Sequence, residues 1–380
     1  MRYVYLDHGA TTPINTEVLN EMMPYLTDHF GNPSSGHAVG KTAREGIERA
    51  RLRVAEGIGA RCDEIVFTSG GSEADYLAIR GTAYANRHRG RHIITCAIEH
   101  PAVLETCRAL SEEGYLITEV PVDRYGLVDP EQVRRSIRPD TILITIMLVN
   151  NEVGTIQPVK EIAHIGHQYD IIVHSDAVQA VGKIPVDVNE LGVDLLSLSA
   201  HKLYGPKGAG ALYIRRDTPW QPLNRGGGQE GGRRPGTENV PGIVGLGKAV
   251  ELAVKSLSPE AKRLSSLRDY IVERTLGEIP GTSLNGHRLQ RVPHNAHFLI
   301  EGVDGKELLT ALNKRGIAVS GGAACHAGTS SLSHVLQAMI GCPAGPVTTL
   351  RVTLGSENTA NDAAFFVDTL KELVLQLRKT

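Results

Sequence analysis

Aromatic residues are scarce in this chain, 4% of 380 positions with a single tryptophan, and there are only five cysteines. An odd set of cysteines without paired spacing does not build a disulfide framework. No CxxC or HExxH pattern offers a metal-binding pair, and His287, His294 and His297 are too loosely spaced to suggest one, so no metal is expected. An excess of either charge is also lacking. Lys and Arg total 40 against 42 Asp and Glu, a formal net charge of −2, which argues against a dedicated nucleic-acid binder and against polybasic membrane attachment. No apolar run reaches the roughly 18 residues of a membrane-spanning helix. The start, Met1 to Leu6, has neither a cationic region nor an apolar stretch and does not read as a signal peptide. No GxGxxG follows the first strand, so a dinucleotide fold has no fingerprint. These absences leave a reduced, cytoplasmic, soluble enzyme whose length suits two to three domains.

What is present is glycine, 41 residues of it, punctuating short Val/Ile/Leu-rich runs. Residues 64–68, 92–97, 116–121, 141–148, 171–175 and 195–199 read as strands, and their near-continuous hydrophobicity suits a parallel sheet buried on both faces. Helices are predicted between them at 72–87, 101–113, 129–137 and 159–169, with Pro101 and Pro130 early, where a missing N–H costs least. The alternation predicts an α/β domain. Residues 224–241, dense in Gly and Arg, read as a loop too glycine-rich to pack as an element, hence mobile or functional. A long helical region follows from Val240 to Gly277, interrupted near Pro259. The pattern then changes to a strand at 296–300, a helix at 306–315, a strand near Ala318 and a last helix from Ala360, which predicts a smaller α+β domain.

The densest chemical signal is Ser199–Ala200–His201–Lys202, just past the apolar run 195–198. Ligands of open α/β sheets bind at the carboxyl ends of strands, which is where this lysine falls. Asp176 ends another buried strand, with Gln179 three residues on. A carboxylate buried there needs a cationic partner, and the protonated nitrogen of a pyridoxal phosphate (PLP) ring supplies one, with Lys202 as the covalent anchor. Gly70, Gly71 and Ser72 join a strand to a helix start and can cradle a phosphate at the positive end of the helix. His100 opens a further helix at the same sheet edge. Cys325 sits among small residues and glycines in 320–329, which predicts an accessible loop thiol, whereas Cys96 and Cys107 read as buried and inert. The Arg233–Arg234 pair is too short for nucleic acid and is expected to meet a phosphate, a carboxylate or a neighbouring subunit.

Together with Tyr5–Pro13, Phe30–Ser34, Ile65–Ala74, Val149–Gly154, Pro235–Thr237 and Leu350–Gly355, these residues make the chain resemble, over nearly its whole length, the PLP-dependent cysteine desulfurases of the NifS/IscS type within the class V aminotransferase family. The resemblance implies PLP-dependent transferase fold type I, with a mostly parallel seven-stranded sheet domain at 15–256. Residues 1–14 plus 257–380 would form the small domain carrying the Cys325 loop. It implies that Lys202 holds PLP, that Asp176 pairs with the pyridine nitrogen, and that Gln179 hydrogen-bonds the ring oxygen. His100 would stack on the ring and assist proton transfers. Gly71, Ser72, Ser199 and His201 would bind the phosphate, with Thr237 reaching in from the other subunit of a homodimer. Asn151 would contact cofactor and substrate, and Arg351 would take the substrate carboxylate. L-Cysteine would become L-alanine, with its sulfur passed to Cys325 as a persulfide and then to an acceptor protein serving iron–sulfur clusters or thio-modification. Direct nucleic-acid contact is not expected.

Three departures from the family pattern stand out. Gly-Gly-Ala-Ala-Cys-His replaces the more usual Ser-Gly-Ser-Ala-Cys, and the Cys325–His326 pairing is similar to that of selenocysteine lyases. Pro235 stands where Ser is more usual, and Tyr76 where Asn is. A selenocysteine lyase, a class V aminotransferase with no need of Cys325, and a non-enzymatic sulfur carrier or assembly partner remain as alternatives.

Overall fold

The structure, a computed structural model, describes residues 3–321, 332–341 and 347–378; Cys325, His326 and Cys342 lie outside them. The chain opens with β1 (Val4–Tyr5), α1 (Thr16–Thr27), α2 (Ala38–Gly57), β2 (Ile65–Thr68), α3 (Gly71–Ala85) and β3 (His92–Cys96). There follow α4 (Pro101–Glu112), β4 (Leu116–Val120), α5 (Pro130–Ser136), β5 (Thr141–Thr145), α6 (Val159–Gln168) and β6 (Ile172–Asp176). Next come α7 (Val188–Leu191), β7 (Leu195–Ser199), β8 (Gly210–Ile214), α8 (Val240–Lys255) and α9 (Leu257–Glu278). The last elements are β9 (Thr282–Asn285), β10 (Asn295–Glu301), α10 (Gly305–Lys314), β11 (Ile317–Ala318), α11 (His334–Ile340), β12 (Val347–Thr353) and α12 (Ala360–Leu377).

Seven strands form one sheet in the order β2-β8-β7-β6-β5-β3-β4. Only β8 runs antiparallel to its neighbours, so the sheet is mostly parallel. Every strand but β4 is buried from end to end, as a sheet covered by helices on both faces requires. β4, at the edge, exposes Leu116 and Glu119. Helix starts follow local chemistry. His100 and Asp129 cap α4 and α5 with side-chain acceptors, and Pro101 and Pro130 take the first helical positions. The interruption expected near Pro259 falls at Ser256, between α8 and α9. Pro259 instead sits in the first turn of α9, where it removes no intrahelical bond.

A separate hydrophobic core joins Val4 and Leu6 to Phe298, Ile300, Leu350 and Phe366. Its sheet is the antiparallel trio β12-β10-β9, with the parallel pair β1-β11 alongside. The segment after β1 then crosses to the large sheet. Gly9 N–H donates to Thr353 Oγ1 at 2.8 Å, and Thr12 N–H donates to the His201 carbonyl at 2.9 Å. This crossing carries the extreme N-terminus to the end of β7.

The glycine-rich stretch 224–241 is pinned to the sheet by charge. Arg51 makes a bidentate pair with Glu230 at 2.7 and 2.9 Å, and Glu230 also accepts from Phe67 N–H at 2.9 Å. Both partners are buried, so the stretch is tied down at its centre. Arg234 meets a carboxylate, Glu73, at 3.0 Å, while Arg233 donates to the carbonyls of Asp63, Ile65 and Glu230.

Candidate active site

The carboxyl ends of β2, β3, β5, β6 and β7 open into one cavity of about 200 Å³. Gly71 and Ser72 come from the turn after β2, His100 from the cap of α4, and Asn151 from the turn after β5. Asp176 and Gln179 follow from β6, and Ser199, His201 and Lys202 from β7 and the 3₁₀ turn beyond it. Gly9, Ala10 and Arg351 close the opposite side. All the site residues expected from sequence meet here except two. Thr237 lines a more open depression of about 700 Å³ with Asn224, Gly226 and Pro235, and Cys325 lies outside the described residues.

The turn at 69–72 is suited to a phosphate. First-turn N–H groups of a helix have no intrahelical acceptor, and the positive end of the α3 dipole adds to them. A Cβ on Gly71 would lie 2.6 Å from Val178 Cγ2, so no larger residue fits the cradle. Ser199 and the neutral His201 add side-chain donors beside it. Burial, aided by Lys202 and Lys207, brings the His201 imidazole down to about 4. Glu73 holds the turn by accepting from Ser69 N–H, and Arg234 grips the same carboxylate.

On the cavity floor, Asp176 receives Val178 N–H at 2.8 Å; burial pushes its carboxyl up, opposed by His100 and Lys202. The His100 imidazole is lowered by burial and is neutral. Its Nδ1 accepts Ala102 N–H at 3.1 Å, which assigns the ring proton to Nε2. Lys202 Nζ donates to the carbonyls of Gly9 and Ala10 at 2.6 and 2.7 Å. Burial, and then the nearby Arg351, lower this amine to about 8, so its free base is accessible near neutral pH. Gln179 gives one amide hydrogen to the Gly9 carbonyl at 3.0 Å, which leaves its second for a ligand.

On the rim, Arg351 projects from β12, donating to the Asn151 carbonyl and to Asp7 Oδ1, each at 3.0 Å. Arg351 Nε and Asn151 Oδ1 are buried without partners, free to meet an incoming carboxylate and a donor. Gly321 and Ser320 bond back to Thr349 and Arg351, and His334 Nε2 bonds the Glu99 carbonyl at 2.9 Å. Described residues on either side of 322–331 therefore lie at this rim.

The sequence reading missed several contributors. Asp7 lay inside a recognised motif but received no role. Asp75 and Glu99 are fully buried carboxyls beside Asp176, and burial pushes Glu99 up to about 8. For Glu99 the available signal was an acidic residue directly after the apolar residues 96–98; Asp75 offered none beyond its place in the helix after the glycine turn. Cys96 and Cys107 are buried as expected, and burial raises both thiols. No group of three or more His, Cys, Asp or Glu among the described residues is arranged to hold a metal.

This donor set fits PLP: an anion cradle at 71–72, a buried carboxylate for the ring nitrogen, and a lysine amine of lowered basicity between them. The comparisons agree. The sequence pattern of the class-V aminotransferases matches residues 4–366. Cysteine desulfurase IscS of Methanosarcina thermophila is 50% identical over 376 residues, covering 99% of this chain and 93% of that protein. A solved NifS-like protein superimposes with a TM-score of 0.92 at 39% identity, over 99% of this chain and 100% of that one. The structure of SspA in complex with cysteine gives a TM-score of 0.81 at 38% identity, over 92% and 98% of the two chains. Matched from end to end and built around a cavity that fits its cofactor, the chain belongs to the PLP-dependent class-V aminotransferase family, among its cysteine desulfurases.

Proposed function

We propose that the chain converts L-cysteine to L-alanine and transfers the sulfur to Cys325 as a persulfide, for delivery to an acceptor protein. The observation that carries this reading is the meeting of Lys202, Asp176 and His100 on one side of the cavity with Arg351 and Asn151 on the other. PLP, when bound, supplies the electron sink that makes the substrate Cα–H acidic and the Cβ–S bond labile. Lys202 is its anchor, Asp176 the partner of the ring nitrogen, and Gln179 the donor to its ring oxygen. His100 would face the ring, and Gly71, Ser72, Ser199 and His201 would hold the phosphate.

Arg351 takes the substrate carboxylate in the bidentate geometry that suits a guanidinium, and Asn151 orients the adjoining groups. Lys202 Nζ, freed by the substrate amine, removes the Cα proton. His100 Nε2 carries the ring proton at the cavity wall and is the group available to pass it on. The Cys325 thiolate attacks the substrate sulfur. A new S–S bond forms, the Cβ–S bond breaks with its electron pair left on carbon, and protonation of that carbon completes alanine. The balance is L-cysteine plus enzyme thiol to L-alanine plus enzyme persulfide, and an acceptor thiol discharges the persulfide.

The proposal includes a homodimer in which Thr237 of each chain serves the partner's phosphate site. Thr237 lies away from its own chain's cavity, and Leu19, Met23, Leu26 and Phe30 expose an apolar stripe along and just past α1. The separate core around Phe298 and Phe366 supports a small domain of residues 1–14 plus 257–380 against a cofactor-binding domain of 15–256. A reducing cytoplasm suits a chemistry that needs thiol acceptors.

The test is alanine formation from L-cysteine by purified holoenzyme, with and without a thiol reductant, beside Cys325→Ala. Reductant-dependent alanine that vanishes in the variant is expected. Undiminished alanine in Cys325→Ala would remove Cys325 from the mechanism and make selenocysteine the next substrate to assay.

A further inference from the structure

Asp75 lies one turn into α3, 1% exposed, and it lines the cofactor cavity. Its charged neighbours are carboxyls: Asp176 at the end of β6, and Glu99 just before His100. No lysine or arginine pairs with it among the described residues; its one ion-pair contact is His174 Nε2, 3.7 Å from Oδ1. That imidazole is neutral, since burial drives it down to about 3. Its two nitrogens are engaged by Thr145 Oγ1 at 2.8 Å and Ser197 Oγ at 3.0 Å. Ser197 opposes the rise of the Asp75 carboxyl without offsetting it. Asp75 Oδ1 itself is buried with no hydrogen-bond partner.

We propose that Asp75 is a second carboxyl of the cofactor cavity, protonated where Asp176 is ionised, and that it is a positioning residue which leaves Asp176 the single anion facing the ring nitrogen. Two carboxyls sharing one low-dielectric site do not both ionise. Asp176 has the Val178 N–H and Lys202 to favour its charge, whereas Asp75 has only neutral or acidic neighbours. Burial and Asp176 accordingly hold the Asp75 carboxyl well above the usual carboxylate range. The hydrogen-bonded chain Thr145–His174–Ser197 runs from β5 through β6 to β7, and His174 Nε2 stands 3.7 Å from Asp75 Oδ1 in α3. It ties the helix that opens at the phosphate cradle to the strand that ends at Asp176. A buried hydrogen-bonded chain of this kind sets the separation of those two cofactor contacts.

The inference rests on Asp176 as the partner of the ring nitrogen, and the experiment separates the two. Holoenzyme is loaded with PLP, its visible absorption band is titrated against pH, and its PLP dissociation constant is measured. Asp75→Asn, an uncharged isostere, is expected to keep the titration midpoint within about 0.3 pH unit and PLP affinity within about threefold. Asp75→Ala is expected to weaken PLP binding on the order of tenfold, with Asn rescuing it. Should Asp75→Ala fail to fold, Ser197→Ala, which removes the hydrogen bond to His174 and keeps the carboxyl, is expected to weaken PLP severalfold. A midpoint lowered by about one unit or more in Asp75→Asn would show an ionised Asp75 and overturn the proposal. PLP affinity at the parent value in the Ala variants would overturn the positioning role. If Asp176→Ala leaves the midpoint unmoved, the Asp176 reading fails first and this inference falls with it.

Discussion

The floor and the rim of the cavity are built on different terms. The floor comes from strand ends of one sheet, within residues 71–202, and it is backed by sealed titratable groups: Asp75, Glu99 and His174 are each 1% exposed or less. The rim joins residues from the two ends of the chain, Asp7 to Arg351, through an ion pair that solvent still reaches on its Asp7 side. A sealed floor fixes protonation states and holds a resident cofactor. A rim assembled from separate segments is the place for a substrate that must enter and leave.

Perturbing the floor tests the first half of that contrast. Glu99 accepts Met147 N–H and the Cys96 thiol, and burial raises its carboxyl to about 8. Between the unfolded value near 4.5 and about 8 the folded state keeps a proton that the unfolded chain has lost, so this group makes stability fall as pH rises. Glu99→Gln abolishes that slope. Its stability advantage over the parent is expected to grow by about 1.4 kcal/mol per pH unit, to about 4 kcal/mol between pH 5 and 8. Urea denaturation at several pH values measures it, and a constant difference would mean that Glu99 is ionised in the folded protein.

At the rim, the smaller and different effect falls on substrate. Arg351→Lys keeps the charge but loses the planar fork, so KM for L-cysteine is expected to rise by about 10- to 100-fold with the cofactor absorption band unchanged. Loss of PLP in this variant would erase the distinction between floor and rim. The least effect belongs to Asp7→Asn, which removes an ion pair with one partly exposed partner. A rise in KM of about threefold, under 1 kcal/mol, is expected. A hundredfold change would promote Asp7 from orienting Arg351 to contacting substrate.

Legibility in the sequence followed the size of the buried side chains. The strands β2 to β7 were readable because their Val, Ile and Leu are continuous. α2 was not, because its buried face is largely glycine and alanine, Gly40, Ala43, Gly46, Ala50 and Ala55, with only Ile47 and Val54 large and apolar beside the charged Arg51. α1 was blurred by exposed Leu19, Met23 and Leu26 beside buried Val18, Met22 and Tyr25. β8 hid behind the glycines that precede it; a Cβ on Gly210 would lie 2.7 Å from Gly70 Cα, so its glycine serves close packing against the phosphate turn.

The sequence by itself determined the alternation of buried strands and helices, and so the row of strand ends at which Ser72, His100, Asp176 and Lys202 had to fall. Hydrophobic periodicity is a local property, and those positions follow from it. Tertiary structure alone decided which proton each buried group keeps, that Gly9 and Ala10 complete the wall, and that Asp7 holds Arg351 in it. Charge in a low-dielectric interior is set by neighbours within a few ångströms, and for Asp75 and Lys202 those neighbours lie far away along the chain.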